Sequence, residues 1–218
     1  IAEELLRLSI SQGCEGRYPD NWLDGMGTRG EKDKRFQVQY NAQLFAILAE
    51  KLLRKEGVDV LYGTYAVGVK VNEGKITHVI TENKSGRLAY EVGSVVDATG
   101  DCDIAAFADA PTDTFRQGNI LAGWYYSVGK NGYALNQVGA SDIPEEEKGQ
   151  GKESKPLVDR RFGGLDGDEI SEFVCMSHDT AYENLMKKRQ DDPERLPVTM
   201  ATIPQLRMTR KIVGEYEL

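Results

Sequence analysis

The sequence is poor in the side chains that bind metals or form disulfides. It has three cysteines and two histidines in 218 residues. Cys14, Cys102 and Cys175 are an odd number at wide spacing, and no Cys-x-x-Cys pair or histidine cluster accompanies them as a zinc site would require. We therefore expect no metal site, and a reducing, cytoplasmic compartment.

The sequence also lacks an excess of positive charge and any long hydrophobic run. The 27 Lys and Arg residues are outnumbered by 35 Asp and Glu residues, which gives a formal net charge of −8. A nucleic-acid groove needs clustered basic residues, so we expect no nucleic-acid partner. The apolar stretch 44–53 is interrupted by Glu50 and Lys51, so it cannot cross a bilayer core of roughly 30 Å. We expect a soluble protein with no membrane partner.

The two ends of the chain are not typical of a complete gene product. The first residue is Ile1, and residues 1–8 predict a helix already under way, with none of the features of a signal peptide. The last eight residues form a half-apolar run without a tail. We therefore expect the chain to be the central fragment of a longer protein.

The first half of the chain predicts helices that alternate with strands. The expected elements are a loop at 12–34, a helix at 38–56, a strand at 58–62, a meander of three antiparallel strands at 66–92, a strand at 95–98 and a helix at 103–110. Helix 38–56 ends at Gly57 and leads directly into a strand, which is the order of a parallel α/β unit. We expect strands 58–62 and 95–98 to be neighbours in one sheet.

The character of the sequence changes beyond Pro111. Residues 120–128 predict an aromatic-rich strand, residues 141–155 an acidic mobile loop, and residues 169–189 a helix. Two short apolar segments follow between 198 and 218. We expect a second lobe here.

The segment after strand 95–98 has the features of a ligand-binding turn. In open α/β sheets ligands bind outside the carboxyl ends of parallel strands. Gly100 allows a close backbone approach, and Thr99 or Asp101 can cap the helix that follows. Spacing alone fits a strand–turn–helix corner without a ligand equally well, because a single glycine is a weak fingerprint.

Two motifs in this order resemble the FAD-dependent oxidoreductase family of the glutathione-reductase-like fold. They are Val95-Val96-Asp97-Ala98-Thr99-Gly100-Asp101-Cys102-Asp103-Ile104-Ala105, which follows Gly57-Val58-Asp59-Val60 and the meander, and the later run Pro204-Gln205-Leu206-Arg207-Met208-Thr209-Arg210-Lys211-Ile212-Val213-Gly214-Glu215-Tyr216. The resemblance implies a mixed α/β fold, with a partial Rossmann-like FAD-binding domain at 1–111, which contains the antiparallel meander, and part of a substrate or cap domain at 112–218.

The resemblance also implies site residues. The turn Ala98-Thr99-Gly100, with Asp101, would meet FAD, and Ala66 would hold adenine through its backbone. Such proteins open with a strand, a Gly-x-Gly-x-x-Gly turn and a helix that bind the pyrophosphate, and none precedes Ile1 here. The string at 25–30 has that spacing but follows no apolar strand, so we interpret it as a loop. We therefore expect the isolated chain to bind FAD weakly, to be inactive, and to self-associate through apolar surface near 58–62.

No catalytic base can be identified from spacing. Arg207 and Arg210 are candidates for holding an anionic substrate or the negative charge of a reduced flavin, although ion pairs with the many carboxylates explain them equally well. We expect FAD to accept electrons from a small organic substrate. The alternatives are a non-enzymatic recognition or interaction module and, with a glycine turn after a strand as its basis, an S-adenosylmethionine-dependent methyltransferase.

Overall fold

A computed structural model describes residues 2–12, 41–139, 156–200, 206 and 209–214. The chain forms two compact units, residues 1–64 and 65–218. The predicted loop at 12–34, from residue 13 onward, and the predicted mobile loop at 141–155 lie outside the described residues. The domain division at 111 concerns cofactor and substrate binding, and it stays a prediction.

The first unit contains two helices that pack against each other, α1 (Ala2–Ile10) and α2 (Ala42–Lys55). Helix α2 begins where the Asn41 side chain accepts a hydrogen bond from the backbone N–H of Leu44 at 2.9 Å, a typical N-cap. It ends at Lys55, and Gly57 beyond the cap has a φ of +78°, which suits glycine and allows the N–H of Val58 to bond the carbonyl of Leu53. The predicted helix and its glycine stop are confirmed.

The predicted strand at 58–62 was wrong. Residues 58–62 pair with no strand in the described part of the chain. The Tyr62 hydroxyl instead donates a hydrogen bond to Oε2 of Glu50 at 3.1 Å, so the segment returns along α2. The apolar pattern of the segment was compatible with a strand, but a strand exists only where a neighbouring strand bonds its backbone.

The second unit begins with the predicted meander, which is confirmed. Strands β1 (Tyr65–Asn72), β2 (Lys75–Asn83) and β3 (Gly86–Glu91) form an antiparallel sheet in the order β1-β2-β3. Two tight turns join them, and Gly74 and Gly86 occupy positive φ values of +76° and +104° there. Glycine at those positions avoids the strain that a Cβ atom would cause.

The predicted strand at 95–98 was also wrong, and so was its pairing with 58–62. Residues 95–98 belong to no sheet among the described residues, and Val96 is 91% exposed. Asp97 bonds the backbone of the turn that follows it, which takes the chain directly into a short helix, α3 (Asp103–Phe107). Every strand pair in the described residues is antiparallel.

The remaining elements form two further sheets and a long helix. Strand β4 (Thr112–Thr114) pairs with β8 (Arg210–Ile212), and β5 (Gly123–Gly129) lies between β6 (Gly132–Val138) and β7 (Leu196–Met200). Helix α4 (Gly167–Arg189) contacts β5 and β6. The prediction of an aromatic strand followed by a helix is confirmed.

Helix α4 supplies the core of the second unit. One cluster of buried side chains contains Leu121, Phe162 and Phe173, in which the two rings meet edge to face at 4.9 Å. A second cluster joins Tyr125 and Val138 of the sheet to Ala181 and Leu185 of α4. The four α4 residues that are buried, Phe173, Ser177, Ala181 and Leu185, recur every four positions, so one stripe of the helix faces the sheet.

A buried polar network ties the segment after α4 to the β5–β6 hairpin. Arg195 Nη1 donates to Ser127 Oγ at 2.8 Å, and Arg195 Nη2 lies 3.2 Å from Asp192 Oδ2. Oδ2 of Asp192 also accepts from the backbone N–H of Lys130 at 3.1 Å. Asp192 is buried, and these partners offset the loss of its hydration.

The fold class is confirmed as mixed α/β, with small antiparallel sheets and few helices. None of the helices in the described residues is both long and apolar enough to span a membrane. The same residues contain no cluster of three or more His, Cys, Asp or Glu side chains that could hold a metal ion.

Candidate functional site

Asp97 organises the turn for which a ligand was predicted. Its Oδ1 atom accepts hydrogen bonds from the Thr99 N–H at 3.1 Å and from the Thr99 hydroxyl at 2.7 Å. Its Oδ2 atom accepts from the N–H of Ala105 at 3.0 Å. The carboxylate thus joins the turn to the first turn of α3.

These hydrogen bonds lower the pKa of Asp97. Burial acts in the opposite direction and raises it, but the Thr99 hydroxyl and the N–H groups of Ala105, Thr99 and Ile104 outweigh burial, so the pKa lies below its ordinary value of 3.8. Asp97 is therefore ionised at neutral pH. Asp97 was not among the predicted site residues, although an Asp two positions before the residue it bonds is the signal of an Asx turn.

Thr99 caps α3, as predicted, and Asp101 does not. The Thr99 hydroxyl oxygen accepts from the N–H of Asp103 at 2.9 Å. Two N–H groups in the first turn of α3 are thus bonded to side chains of the turn, that of Asp103 to Thr99 and that of Ala105 to Asp97. These two donors are not available to an anion that approaches the start of this helix.

The backbone of the turn is open on the outside. Ala98, Thr99 and Gly100 are exposed, and Gly100 has a φ of +97°. A Cβ atom added at Gly100 would meet no other atom of the described chain within 4 Å. Space next to Gly100 is therefore available to a ligand, and the positive φ favours glycine.

Asp101 and Asp103 face the C-terminal strand. The Asp101 carboxylate accepts a hydrogen bond from the Thr209 hydroxyl, and its backbone carbonyl accepts one from Arg210 Nε at 2.7 Å. Arg210 Nη2 also donates to Asp103 Oδ1 at 2.7 Å. The structure thus brings two predicted site residues, Asp101 and Arg210, into direct contact, whereas Arg207 lies outside the described residues.

Ala66 lies on β1, and helix α3 packs against this strand. Its partner in the register is Thr81 of β2. The hydroxyl of Thr81 is buried and has no hydrogen-bond partner in the described part of the chain. No signal in the sequence indicated this unsatisfied group.

The turn fits a contact with an uncharged part of FAD better than a contact with its pyrophosphate. Asp97, Asp101 and Asp103 place three carboxylates around the turn, Arg210 is the cation that contacts it, and the N–H groups of Asp103 and Ala105 are already bonded. This environment disfavours a pyrophosphate. The exposed backbone at Ala98 and Gly100, free of side-chain obstruction, fits an uncharged part of the cofactor.

A second candidate site is an apolar groove of about 590 Å³ between α4, β5 and β7. Its walls include Val174, His178, Ala181, Tyr182, Pro197 and Met200. Tyr125 lies at its base, where burial raises the pKa of the phenol although nearby Arg195 lowers it, and its hydroxyl donates to Asn184 Oδ1 at 2.9 Å. The volume is within the range of small-molecule sites.

The histidines and cysteines of the described residues form no catalytic pair. His78 is half-buried, and its Nδ1 lies 3.1 Å from the Thr77 hydroxyl. His178 is exposed on α4. Cys102 and Cys175 are free thiols, and Cys102 occupies a left-handed backbone position immediately before α3.

Comparison with known proteins gave one family match. The family model described as FAD dependent oxidoreductase matches residues 9–123, more than half of the 218-residue chain. This range includes Ala66 and the turn at 97–101, but it ends before α4 and Arg210. No curated protein and no solved structure matched significantly. The extent of the family match shows that the chain belongs to the FAD-dependent oxidoreductase family.

Proposed function

We propose that the protein containing this chain is a flavoenzyme of the glutathione-reductase-like fold, which oxidises a small organic substrate through FAD. The observation that supports this most directly is the turn at 97–101, which lies inside the family match and presents an ordered, exposed backbone around Gly100. The methyltransferase alternative gains nothing from the family match. The same turn could also belong to a recognition module, and the experiment below separates the two.

In this proposal the chain binds and orients, while FAD supplies the redox chemistry by accepting a hydride or an electron pair. Ala98, Thr99 and Gly100 would contact FAD through the backbone. Asp97 would keep that backbone in place, because its carboxylate bonds both Thr99 and Ala105. Ala66 would contact adenine through the backbone of β1.

The proposed substrate is a small molecule that is apolar over most of its surface. The groove beside α4 supports this, because its walls are mainly aliphatic and aromatic side chains, with His178 as a polar group at the wall. An anionic substrate held by Arg210 is less well supported, since the guanidinium already bonds Asp101 and Asp103.

We further propose that the chain by itself binds FAD weakly and is inactive. The pyrophosphate of FAD needs free N–H groups at a helix start, and two of those in the first turn of α3 are already bonded to Thr99 and Asp97. A strand, a glycine-rich turn and a helix placed before residue 1 would supply them.

Other proposed properties concern partners and compartment. Large apolar side chains are exposed within each unit, among them Leu61 and Tyr62 in the first and Val67 and Leu88 in the second. We propose that the isolated chain self-associates through such surfaces, which sedimentation at several concentrations would reveal. The formal net charge of −8 supports the proposal that the protein has no nucleic-acid or membrane partner. The free thiols at Cys102 and Cys175 support a location in a reducing cytoplasm.

The test compares FAD binding by the chain and by a version that carries a family-type strand–turn–helix unit before residue 1. Each is incubated with FAD, freed of excess cofactor, and measured by its flavin absorption. We expect stoichiometric FAD in the extended version only, and its loss on Gly100→Val. Gly86→Val is the matched control, because Gly86 has a similar φ of +104° in a hairpin turn and equally open surroundings.

The outcomes distinguish the claims. Stoichiometric FAD in the unextended chain would show that the claim of weak binding is wrong. If the extended version binds no FAD, or loses it equally in both Val variants, the flavin assignment of this turn fails. Persistent binding of a protein partner, without any flavin, would favour the recognition module.

A further inference from the structure

Arg210 connects two segments that are more than 100 residues apart. Its Nε atom donates to the backbone carbonyl of Asp101 at 2.7 Å, and its Nη2 atom donates to Oδ1 of Asp103 at 2.7 Å. The planar guanidinium thus bonds both residues that flank Cys102. A lysine has a single nitrogen and cannot reproduce this fork.

The residue between these two contacts has a strained backbone. Cys102 has a φ of +54° and a ψ of +43°, the left-handed region that residues with a Cβ atom rarely adopt. Gly100, two positions earlier, also has a positive φ, of +97°. Such conformations persist only where the surrounding contacts hold them. The Arg210 fork holds residues 101 and 103 on either side of Cys102, together with the hydrogen bonds that Thr209 donates to the Asp101 carboxylate and that the Asp103 N–H donates to the Thr99 hydroxyl.

The neighbourhood keeps Arg210 in position. The Thr209 side chain is 5% exposed, and its hydroxyl donates to the Asp101 carboxylate. Strand β8 pairs with β4 through Thr114 and Arg210. Thr209 also packs closely on Gly164, since a Cβ atom there would lie 2.7 Å from its methyl group. Strand β8 is therefore a fixed support for the turn.

We propose that Arg210 is a positioning residue for flavin binding, which holds the backbone at 100–102 in the conformation that meets FAD and does not itself bind an anionic substrate. This inference rests on the proposed function for the contact with FAD. The guanidinium bonds two groups of the protein, and its side chain is only 19% exposed. Its charge is offset by Asp103, so little remains for a ligand.

The experiment uses four variants of the chain alone and of its FAD-loaded extended version, which carries the strand–turn–helix unit before residue 1 and is called the full-length protein below. They are Arg210→Ala, Arg210→Lys, Cys102→Gly and the double variant Arg210→Ala with Cys102→Gly. Glycine at 102 removes the cost of the left-handed conformation, so it should make the fork dispensable. Arg87→Ala is the control for loss of an ion pair, because Arg87 Nη2 lies 2.6 Å from Glu82 Oε2 in the β2–β3 hairpin.

The readouts are the FAD dissociation constant and visible flavin spectrum of the full-length protein, and the NMR amide shifts of Gly100 and Asp101 in the chain. We expect Arg210→Ala to raise the dissociation constant about tenfold, which corresponds to about 1.4 kcal/mol. Arg210→Lys should recover only part of this loss, and in the Cys102→Gly background Arg210→Ala should cost less than about twofold. Arg87→Ala should leave FAD binding and both amide shifts unchanged.

A full recovery by Lys would overturn the proposal, because it would show that charge alone matters. An equal tenfold loss of FAD affinity on Arg210→Ala in the Cys102→Gly background would also overturn it. So would amide shifts of Gly100 and Asp101 that do not change on Arg210→Ala. The amide shifts test the positioning role of Arg210 separately from the proposed function in FAD binding. If the wild-type full-length protein binds no FAD, the proposed function fails, while shifts that move with Arg210 and return with Cys102→Gly still support the positioning of the turn.

Discussion

The Oδ2 atom of Asp97 accepts a hydrogen bond from the N–H of Ala105 at 3.0 Å, so one carboxylate connects the start of the turn to the helix that follows it. Its other oxygen bonds Thr99 twice. The exposed backbone at Gly100 is therefore held from one side by Asp97. On the other side it is held by Asp101, through Thr209 and Arg210.

Replacing Asp97 should destabilise the second unit. Asp97→Ala removes the acceptor for the N–H groups of Thr99 and Ala105, and a lost cap of this kind costs about 1 kcal/mol. Denaturant unfolding followed by circular dichroism measures the change. Asp59→Ala, which removes an exposed carboxylate of the first unit, is the control and should change the free energy of unfolding by less than about 0.5 kcal/mol. Equal effects would show that the hydrogen bonds of Asp97 contribute nothing.

The contribution of Asp97 should depend on pH in one direction. Its pKa in the folded state lies below the ordinary value of 3.8, so its stabilisation is complete above that value and is lost as the pH falls through the folded pKa. The difference in unfolding free energy between wild type and Asp97→Ala should therefore be constant from about pH 7 to pH 5 and shrink below about pH 4. A difference that grows on acidification would contradict the lowered pKa.

Gly129 should not tolerate a side chain. A Cβ atom there would lie 2.1 Å from Asp192 Oδ2, which is bound to Arg195 and to the N–H of Lys130. Gly129→Ala must displace this buried carboxylate and should cost about 1–3 kcal/mol. Gly167→Ala is the matched control, since a Cβ atom there meets nothing within 4 Å and lies in the first turn of α4. It should leave stability unchanged or raise it by up to about 1 kcal/mol, as measured by thermal unfolding.

The buried hydroxyl of Thr81 should be dispensable for folding. It has no partner among the described residues, whereas the Thr77 hydroxyl of the same strand donates to the carbonyl of Lys70 at 3.1 Å. Thr81→Val removes an unsatisfied polar group, so stability should stay constant or rise by about 1 kcal/mol. Thr77→Val should lower it by about 0.5–1.5 kcal/mol. A larger loss for Thr81→Val, by denaturant unfolding, would reveal a partner of the hydroxyl in solution.

The groove beside α4 should bind apolar probes. Fluorescence of an anilinonaphthalene sulfonate dye should rise on addition of the chain, and Met200→Glu should reduce this rise severalfold, because it places a charge in the apolar wall. Val213→Glu adds the same charge at a residue outside the groove that is equally exposed, 43% against 44% for Met200. If both variants reduce binding equally, the dye responds to net charge and the groove is not its site.

Local pattern was sufficient for much of the secondary structure. Helix α2, the meander and α4 followed from apolar spacing and from turn glycines such as Gly57 and Gly74. These features act over a few residues, so they can be identified from the sequence without knowledge of the fold. The choice of the turn at 97–101 needed the family resemblance as well, because spacing alone fitted a strand–turn–helix corner without a ligand equally well.

The tertiary structure decided what depends on distant partners. Segments 58–62 and 95–98 were apolar enough for strands, but a strand requires a neighbour, and the described residues provide none. Arg210 could equally have been a ligand-binding or a surface residue from its spacing alone. Only folding places its guanidinium between Asp101 and Asp103, more than 100 positions earlier, because long-range contacts arise from the packing of whole elements and leave no local signature.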